Sequence, residues 1–144
     1  MNKPFIVPVA PLFVPGDRPD LFAKAAASGA DAIIIDLEDA IAPQSKESAR
    51  KAACRHDISS VPVILRINGA GTAWHADDLA ALSAADIAAV MLPKAETSES
   101  IAAMSRALGR PLPVIALIES AKGLGSLVQV LTAPSRAWQA TQLR

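Results

Sequence analysis

The chain has 144 residues, 51% of them hydrophobic but only 3% aromatic, with no tyrosine. That length suits one domain, spanning residues 1–144, whose core is filled by Ala, Val, Ile and Leu. Fourteen basic residues cancel fourteen acidic ones, which excludes an electrostatic footprint for nucleic acid, and the one cysteine, Cys54, excludes an internal disulfide and a cysteine-built zinc site.

The N-terminal apolar stretch is interrupted by Pro8, Pro11 and Pro15, which is unlike a signal peptide. The apolar run at 111–118 is far below the ~20 residues that span a bilayer. The expectation is a cytoplasmic protein with no membrane partner.

In chain order, a first strand at 11–14 stops at the turn dipeptide Pro15-Gly16, with Asp17 as cap and Pro19 in the first turn of a helix that Gly29 ends. Next comes Ile33-Ile34-Ile35-Asp36-Leu37-Glu38-Asp39, in which three β-branched residues run into three carboxylates. An unbroken apolar run suits a strand covered on both faces, as in a parallel sheet. A second helix at 44–54 carries Lys46, Glu47, Arg50 and Lys51 at i,i+4 spacing, the pattern of a solvated surface. A third strand at 63–67 leads into Asn68-Gly69, and a short Ala-rich helix follows at 76–83. A fourth strand at 88–92 closes with Pro93-Lys94. Thr97 caps a fourth helix whose Ile101, Met104 and Leu108 share one face, and Gly109 ends it. A fifth strand at 114–118 runs to Glu119. The last helix starts near Lys122 and ends at Pro134, and the tail 133–144 shows no strand pattern.

The rhythm is strand, helix, strand, with strand ends 22 to 31 residues apart. It demands an α/β fold of parallel strands with helical crossovers, either an open doubly wound sheet or a (β/α)8 barrel. In either, the C-terminal ends of the strands share one rim. Arg18, the acids at 36–39, Arg66, Lys94 and Glu119 all fall at such ends and therefore converge. Several acids near one arginine suit Mg²⁺, a cation that prefers oxygen ligands, together with a carboxylate that Arg66 clamps bidentately. Each group also has a bland reading. The acids fit helix caps, and Arg66 a surface ion pair. Arg18, Lys24 and Lys94 fit solvated positions as well as a site. His56 and His75 lack ligand spacing. Cys54 reads as a small apolar helix residue, and Trp74 as packing over the loop at 69–71.

Taken together, the segments 12–19, 36–40 (Asp-Leu-Glu-Asp-Ala), 66–68 (Arg-Ile-Asn), 92–94 (Leu-Pro-Lys) and 116–121 (Ala-Leu-Ile-Glu-Ser-Ala) resemble the citrate lyase β-subunit family. That family belongs with the phosphoenolpyruvate/pyruvate-type TIM barrels and is related to class II 2-keto acid aldolases. The resemblance covers residues 9–128 and implies a (β/α)8 barrel of which this chain carries the first five βα units. It implies Mg²⁺-dependent retro-aldol (Claisen-type) cleavage of an acyl-CoA such as citryl-CoA or malyl-CoA. In it, Arg66 holds the keto-acid carboxylate, Glu119 binds the metal, and Glu38 and Asp39 lie near the proton-transfer chemistry. Arg18 and Lys24 are the counterparts of residues that meet CoA phosphates. A second metal-binding aspartate of the family has no counterpart in the tail. The expectation is thus an incomplete barrel with impaired activity and open sheet edges that favour a homo-oligomer. Two rival functions are a 2-keto acid aldolase that uses no CoA and an inactive fragment serving as an interaction module.

Overall fold

The computed structural model describes residues 5–131 and the backbone of 138–140. The strands are β1 (Leu12–Pro15), β2 (Ile33–Asp36), β3 (Val63–Arg66), β4 (Ala89–Leu92), β5 (Val114–Ala116) and β6 (Trp138–Ala140). They form one parallel sheet in sequence order, β1 to β6, and the sheet does not close, because β1 and β6 are its two ends. Sequential order in an all-parallel sheet is the order of barrel staves, as expected. The sixth strand corrects the reading of the tail as strandless. Trp138-Gln139-Ala140 lacks the β-branched run that marks the other strands, so its pairing with β5 left no local signature.

The helices are α1 (Phe22–Ala26), α2 (Lys46–Cys54), α3 (His75–Leu82), α4 (Ser98–Ala107), α5 (Ala121–Gly125) and α6 (Leu127–Leu131). The first is shorter than expected. Pro19–Leu21 forms a tight 3-10 turn and Asp17 does not cap it; the left-handed Gly29 follows the helix, as expected. Thr97 caps α4 by accepting from the Ser100 amide, and the left-handed Gly109 follows it. The single last helix that the sequence suggested is broken into α5 and α6 around Ser126, and its expected end at Pro134 lies outside the described residues.

Side chains alternate across the strands and divide the core in two. Ile33, Ile35, Val63, Leu65, Val90, Leu92 and Val114 face the helices and pack with Phe22, Ala49, Leu82, Ile101 and Met104. Ile34, Ile64, Ala89, Met91 and Ile115 form a smaller cluster on the opposite face, flanked by Phe5 and Leu117. Each large aliphatic side chain so buried stabilises the fold by about 1.5–3 kcal/mol relative to exposure. The aliphatic layers therefore hold the sheet, and the charged rim is built upon them. No helix among the described residues is long and apolar enough to cross a membrane.

The α2 face is not the solvated surface its charges suggested. Glu47 and Lys51 do form an exposed i,i+4 pair, but Lys46 is buried and Arg50 largely so. The reason is distant in sequence: acceptors on the loops after β2 and β3, and Asp78 on α3, take up their protons.

Candidate active site

Parallel register brings the strand ends together. Asp36 at the end of β2 lies beside Arg66 at the end of β3, and Arg66 beside Met91 on β4. Asp36 takes two hydrogen bonds from the guanidinium, Nε to Oδ1 and Nη2 to Oδ2, each 2.7 Å. Its oxygens also accept the amides of Glu38 at 2.9 Å and Ala40 at 3.1 Å, so the loop after β2 is wound onto this one carboxylate. Burial pushes the Asp36 carboxyl up, but the Arg66 hydrogen bonds, the two amides and the Arg66 charge outweigh it and hold it below the usual range.

This pairing changes the part Arg66 can play. The Nε edge of its fork, Nε with Nη2, is given to Asp36, so that edge is not open to the bidentate clamp of a substrate carboxylate that the sequence suggested. Nη1 remains, 3.4 Å from Glu38 Oε2, with the guanidinium over the Phe13 ring at 5.1 Å. The hydrogen bonds to Asp36 are the main reason the Arg66 pKa is raised further.

Glu38 is buried at 5% exposure, whereas Asp39 is exposed. Glu38 Oε1 accepts from Lys94 Nζ at 2.8 Å, and Glu38 Oε2 is buried without a hydrogen-bond partner among the described residues. Lys94 Nζ also lies 3.8 Å from Asp39 Oδ1. The Lys94 amide donates to Glu119 Oε1 at 3.0 Å, so one residue links the acids after β2 to the acid after β5. Lys94 has φ +49°, a left-handed conformation that costs a non-glycine residue about 1–3 kcal/mol and tends to persist where surrounding contacts impose it. The hydrogen bond to Glu38 and the neighbouring carboxylates raise the pKa of this ammonium.

Glu38, Asp39, Arg66 and Glu119 therefore stand on one rim. Among the described residues, no hydrogen bond or ion pair joins Arg18 to that group; its partner is Asp20. Arg18 is exposed and forks onto Asp20 at 2.7 and 2.9 Å, and Lys24 is exposed on α1. Beside the cluster opens a cleft of about 530 Å³, lined by Glu38, Lys94, Glu96, Ser100, Lys122 and the loop 69–72. Glu96 is held there by Ser120 Oγ at 2.9 Å and Lys122 Nζ at 3.0 Å.

The donor set suits Mg²⁺ in part. Glu38 Oε2 is a buried oxygen with no hydrogen bond among the described residues, and Glu119 is an exposed carboxylate on the same rim. Among the described residues, no three His, Cys, Asp or Glu side chains gather closely enough to hold a metal ion alone. Mg²⁺ in general needs only one or two protein carboxylates, with waters and substrate oxygens completing its shell.

Sequence reasoning underrated Asp36, Lys46, Asn68, Asp78 and Lys94. Asp36 was legible in principle, since adjacent parallel strands ending at an acid and an arginine pair at equal height. The Lys46 and Asp78 partnerships carry no local signal. His75 Nδ1, at the start of α3, lies 2.7 Å from the Asn68 carbonyl, and Trp74 packs over Lys46. Cys54 is half-buried, and burial raises its thiol pKa, which suits the apolar reading.

Comparison with known proteins now becomes informative. The family model described as HpcH/HpaI aldolase/citrate lyase matches residues 10–139. A citrate lyase subunit beta-like protein of Mycobacterium tuberculosis is 42% identical over 122 residues, which are 85% of this chain and 42% of that protein. The L-malyl-CoA/beta-methylmalyl-CoA lyase of Cereibacter sphaeroides is 36% identical over 141 residues, covering 87% of this chain and 44% of the relative. The solved citrate lyase beta subunit of M. tuberculosis, complexed with oxaloacetate and magnesium, superposes with a TM-score of 0.77 at 39% identity, over 92% of this chain and 58% of that one. The chain spans about half the length of the curated relatives it matches. With a family model matched along most of its length and the parallel βα order that such relatives share, this chain belongs to the HpcH/HpaI aldolase/citrate lyase family.

Proposed function

We propose that the rim built by β2 to β5 serves Mg²⁺-dependent cleavage of a carbon–carbon bond in a β-hydroxyacyl-CoA of the malyl-CoA or citryl-CoA kind. The observation that carries this reading is Lys94, which holds Glu38 through Nζ and Glu119 through its amide, and so gathers a carboxylate pair beside Arg66. Relatives named as citrate lyase beta-like and malyl-CoA lyase proteins support the substrate class.

In this reading Arg66 presents Nη1 to the carboxylate of the keto-acid half, while Asp36 keeps the guanidinium at its angle. Glu38 and Asp39 are the carboxylates placed to take the proton of the substrate β-hydroxyl. As that proton leaves, the hydroxyl carbon becomes a carbonyl and the adjacent carbon–carbon bond breaks. The bonding pair passes to the thioester fragment as an enolate, which then takes up one proton. Glu119 would hold the cation, with Glu38 Oε2 the second oxygen within the same rim; the cation would supply positive charge against the developing oxyanion. Arg18 and Lys24 would meet CoA phosphates, Arg18 after parting from Asp20.

The test is an assay of the purified chain on malyl-CoA and citryl-CoA against free 4-hydroxy-2-keto acids, each with Mg²⁺ and with chelator. Chelator-sensitive release of acetyl-CoA is expected. Turnover of the free acids alone would instead place the chain with the CoA-independent aldolases.

A further inference from the structure

Lys46 lies on the first turn of α2 and is 6% exposed. An ammonium taken from water is costly unless every proton finds an acceptor. Here Nζ meets the Leu37 carbonyl at 2.8 Å, the Glu38 carbonyl, and Asn68 Oδ1 at 2.7 Å. The Trp74 ring covers it at 5.1 Å. The two carbonyls belong to the peptide groups on either side of the Glu38 α-carbon, so a single ammonium pins the backbone on both sides of the buried acid.

The third proton reaches the neighbouring loop, where a ring of contacts closes. The Asn68 amide and Nδ2 donate to Asp78 Oδ2 at 2.9 and 2.7 Å. Asp78 Oδ1 accepts from Arg50 Nε at 2.7 Å. Arg50 stands one turn beyond Lys46, so α2 grips Asn68 of the loop after β3 through Lys46 and its partner Asp78 on α3 through Arg50. A methionine or leucine would fill the same volume without the desolvation cost. What the ammonium adds is geometric.

We infer that Lys46 is a positioning residue: through the carbonyls flanking Glu38 and through Asn68 it locks the acid loop after β2 to the loop after β3. Glu38 Oε2 is thereby kept 3.4 Å from the Arg66 guanidinium. The consequence for substrate rests on the lyase reading; the locking itself rests on the contacts alone.

Amide hydrogen exchange tests it without reference to activity. The reporters are the amides of Glu38 and Ala40, which donate to Asp36, that of Ile41, which donates to the Glu38 carbonyl, and that of Asn68, which donates to Asp78. Lys46→Met speeds exchange at these four by at least about tenfold while amides inside β3 and β4 keep their rates. Unchanged exchange at the four overturns the inference. Met104→Ala in α4 is the control for general destabilisation; if it loosens the same four amides as much, Lys46 has no special part. Where Lys46→Met does not fold, Asn68→Ser decides. Faster exchange at Glu38, Ala40 and Ile41 as well as at position 68 and Thr72, with amides inside β3 and β4 keeping their rates, supports the lock, and a change confined to position 68 and Thr72, or none, overturns it.

Calorimetric titration with oxaloacetate and Mg²⁺ adds the functional arm. Lys46→Met weakens binding about tenfold or more, and Lys46→Arg recovers most of it, whereas Met104→Ala leaves it unchanged. If the unaltered chain binds no oxaloacetate, the lyase reading falls and the exchange pattern alone judges Lys46.

Discussion

The two sides of the rim are built differently. After β2 and β3, charged side chains are buried and held on several sides: Asp36 by four donors, Asp78 by three, and Lys46 by three acceptors. After β5, Glu119 is exposed, and α5 and α6 present Leu124 at 66% and Val128 at 74% exposure. Lys94 connects the two sides. One side is preorganised, so that an arginine and an acid keep a fixed separation. The other presents a carboxylate whose setting depends on the backbone amide of Lys94. In the proposed function, the rigid side would meet the organic ligand and the exposed carboxylate the cation, an ion that retains waters.

The largest way to break this contrast is to remove Asp36. Asp36→Ala leaves Arg66 largely buried with Glu38 3.4 Å away, and a broken buried pair costs about 3–5 kcal/mol. Urea unfolding should show that loss, while Glu119→Ala, at the exposed end, should cost less than about 1 kcal/mol. Acid sharpens the same point. The folded Asp36 pKa lies below its unfolded value of about 3.9, so its contribution is complete above that value and fades as pH falls through the folded pKa. Unfolding free energy measured from pH 6 to pH 2 should fall in the unaltered chain, and fall less steeply in Asp36→Asn.

Glycines give the next step down. A Cβ on Gly16 would stand 2.8 Å from the Asp36 carbonyl oxygen and 2.8 Å from Leu37 Cδ2, hard against the β2 rim. Gly16→Ala should therefore destabilise by about 1–3 kcal/mol in thermal or urea unfolding. At the other end, nothing among the described residues lies within 4 Å of a Cβ on Gly125. Gly125→Ala should be stabilising by about 0.4–1 kcal/mol, by restricting the unfolded chain. The smallest effect belongs to Leu124→Ser on exposed α5, within about 0.5 kcal/mol of zero in the same measurement. Equal costs for Gly16→Ala and Gly125→Ala would erase the distinction between the two sides.

What could be read from the residues follows from where the signal resides. The run Ile33-Ile34-Ile35 and its counterparts in β3 to β5 announce buried parallel strands, because a sheet covered on both faces needs apolar residues at every position. Thr97 and Gly109 announce the ends of α4 by local capping chemistry. The rim residues Glu38, Arg66 and Glu119 were legible because parallel order places strand ends together. Lys46 and Arg50 were not. A lysine and an arginine one turn apart have the same pattern whether water or Asp78 receives them, and the partner lies about thirty residues away on another helix. Lys94 was half legible: its place after β4 put it at the mouth, but its left-handed backbone, which turns the amide to Glu119, follows from tertiary contacts.

The central claim is that Arg66 and Glu119, far apart in the chain, serve one ligand and one cation. Calorimetric titration of oxaloacetate into the chain, with and without Mg²⁺, tests it most directly when repeated with Arg66→Lys and Glu119→Gln. The account predicts binding that requires Mg²⁺ and weakens about tenfold or more in Arg66→Lys, where the fork on Asp36 that sets the donor's angle is lost. In Glu119→Gln it should need a higher Mg²⁺ concentration. Binding indifferent to Mg²⁺ and unaltered by both substitutions would contradict it.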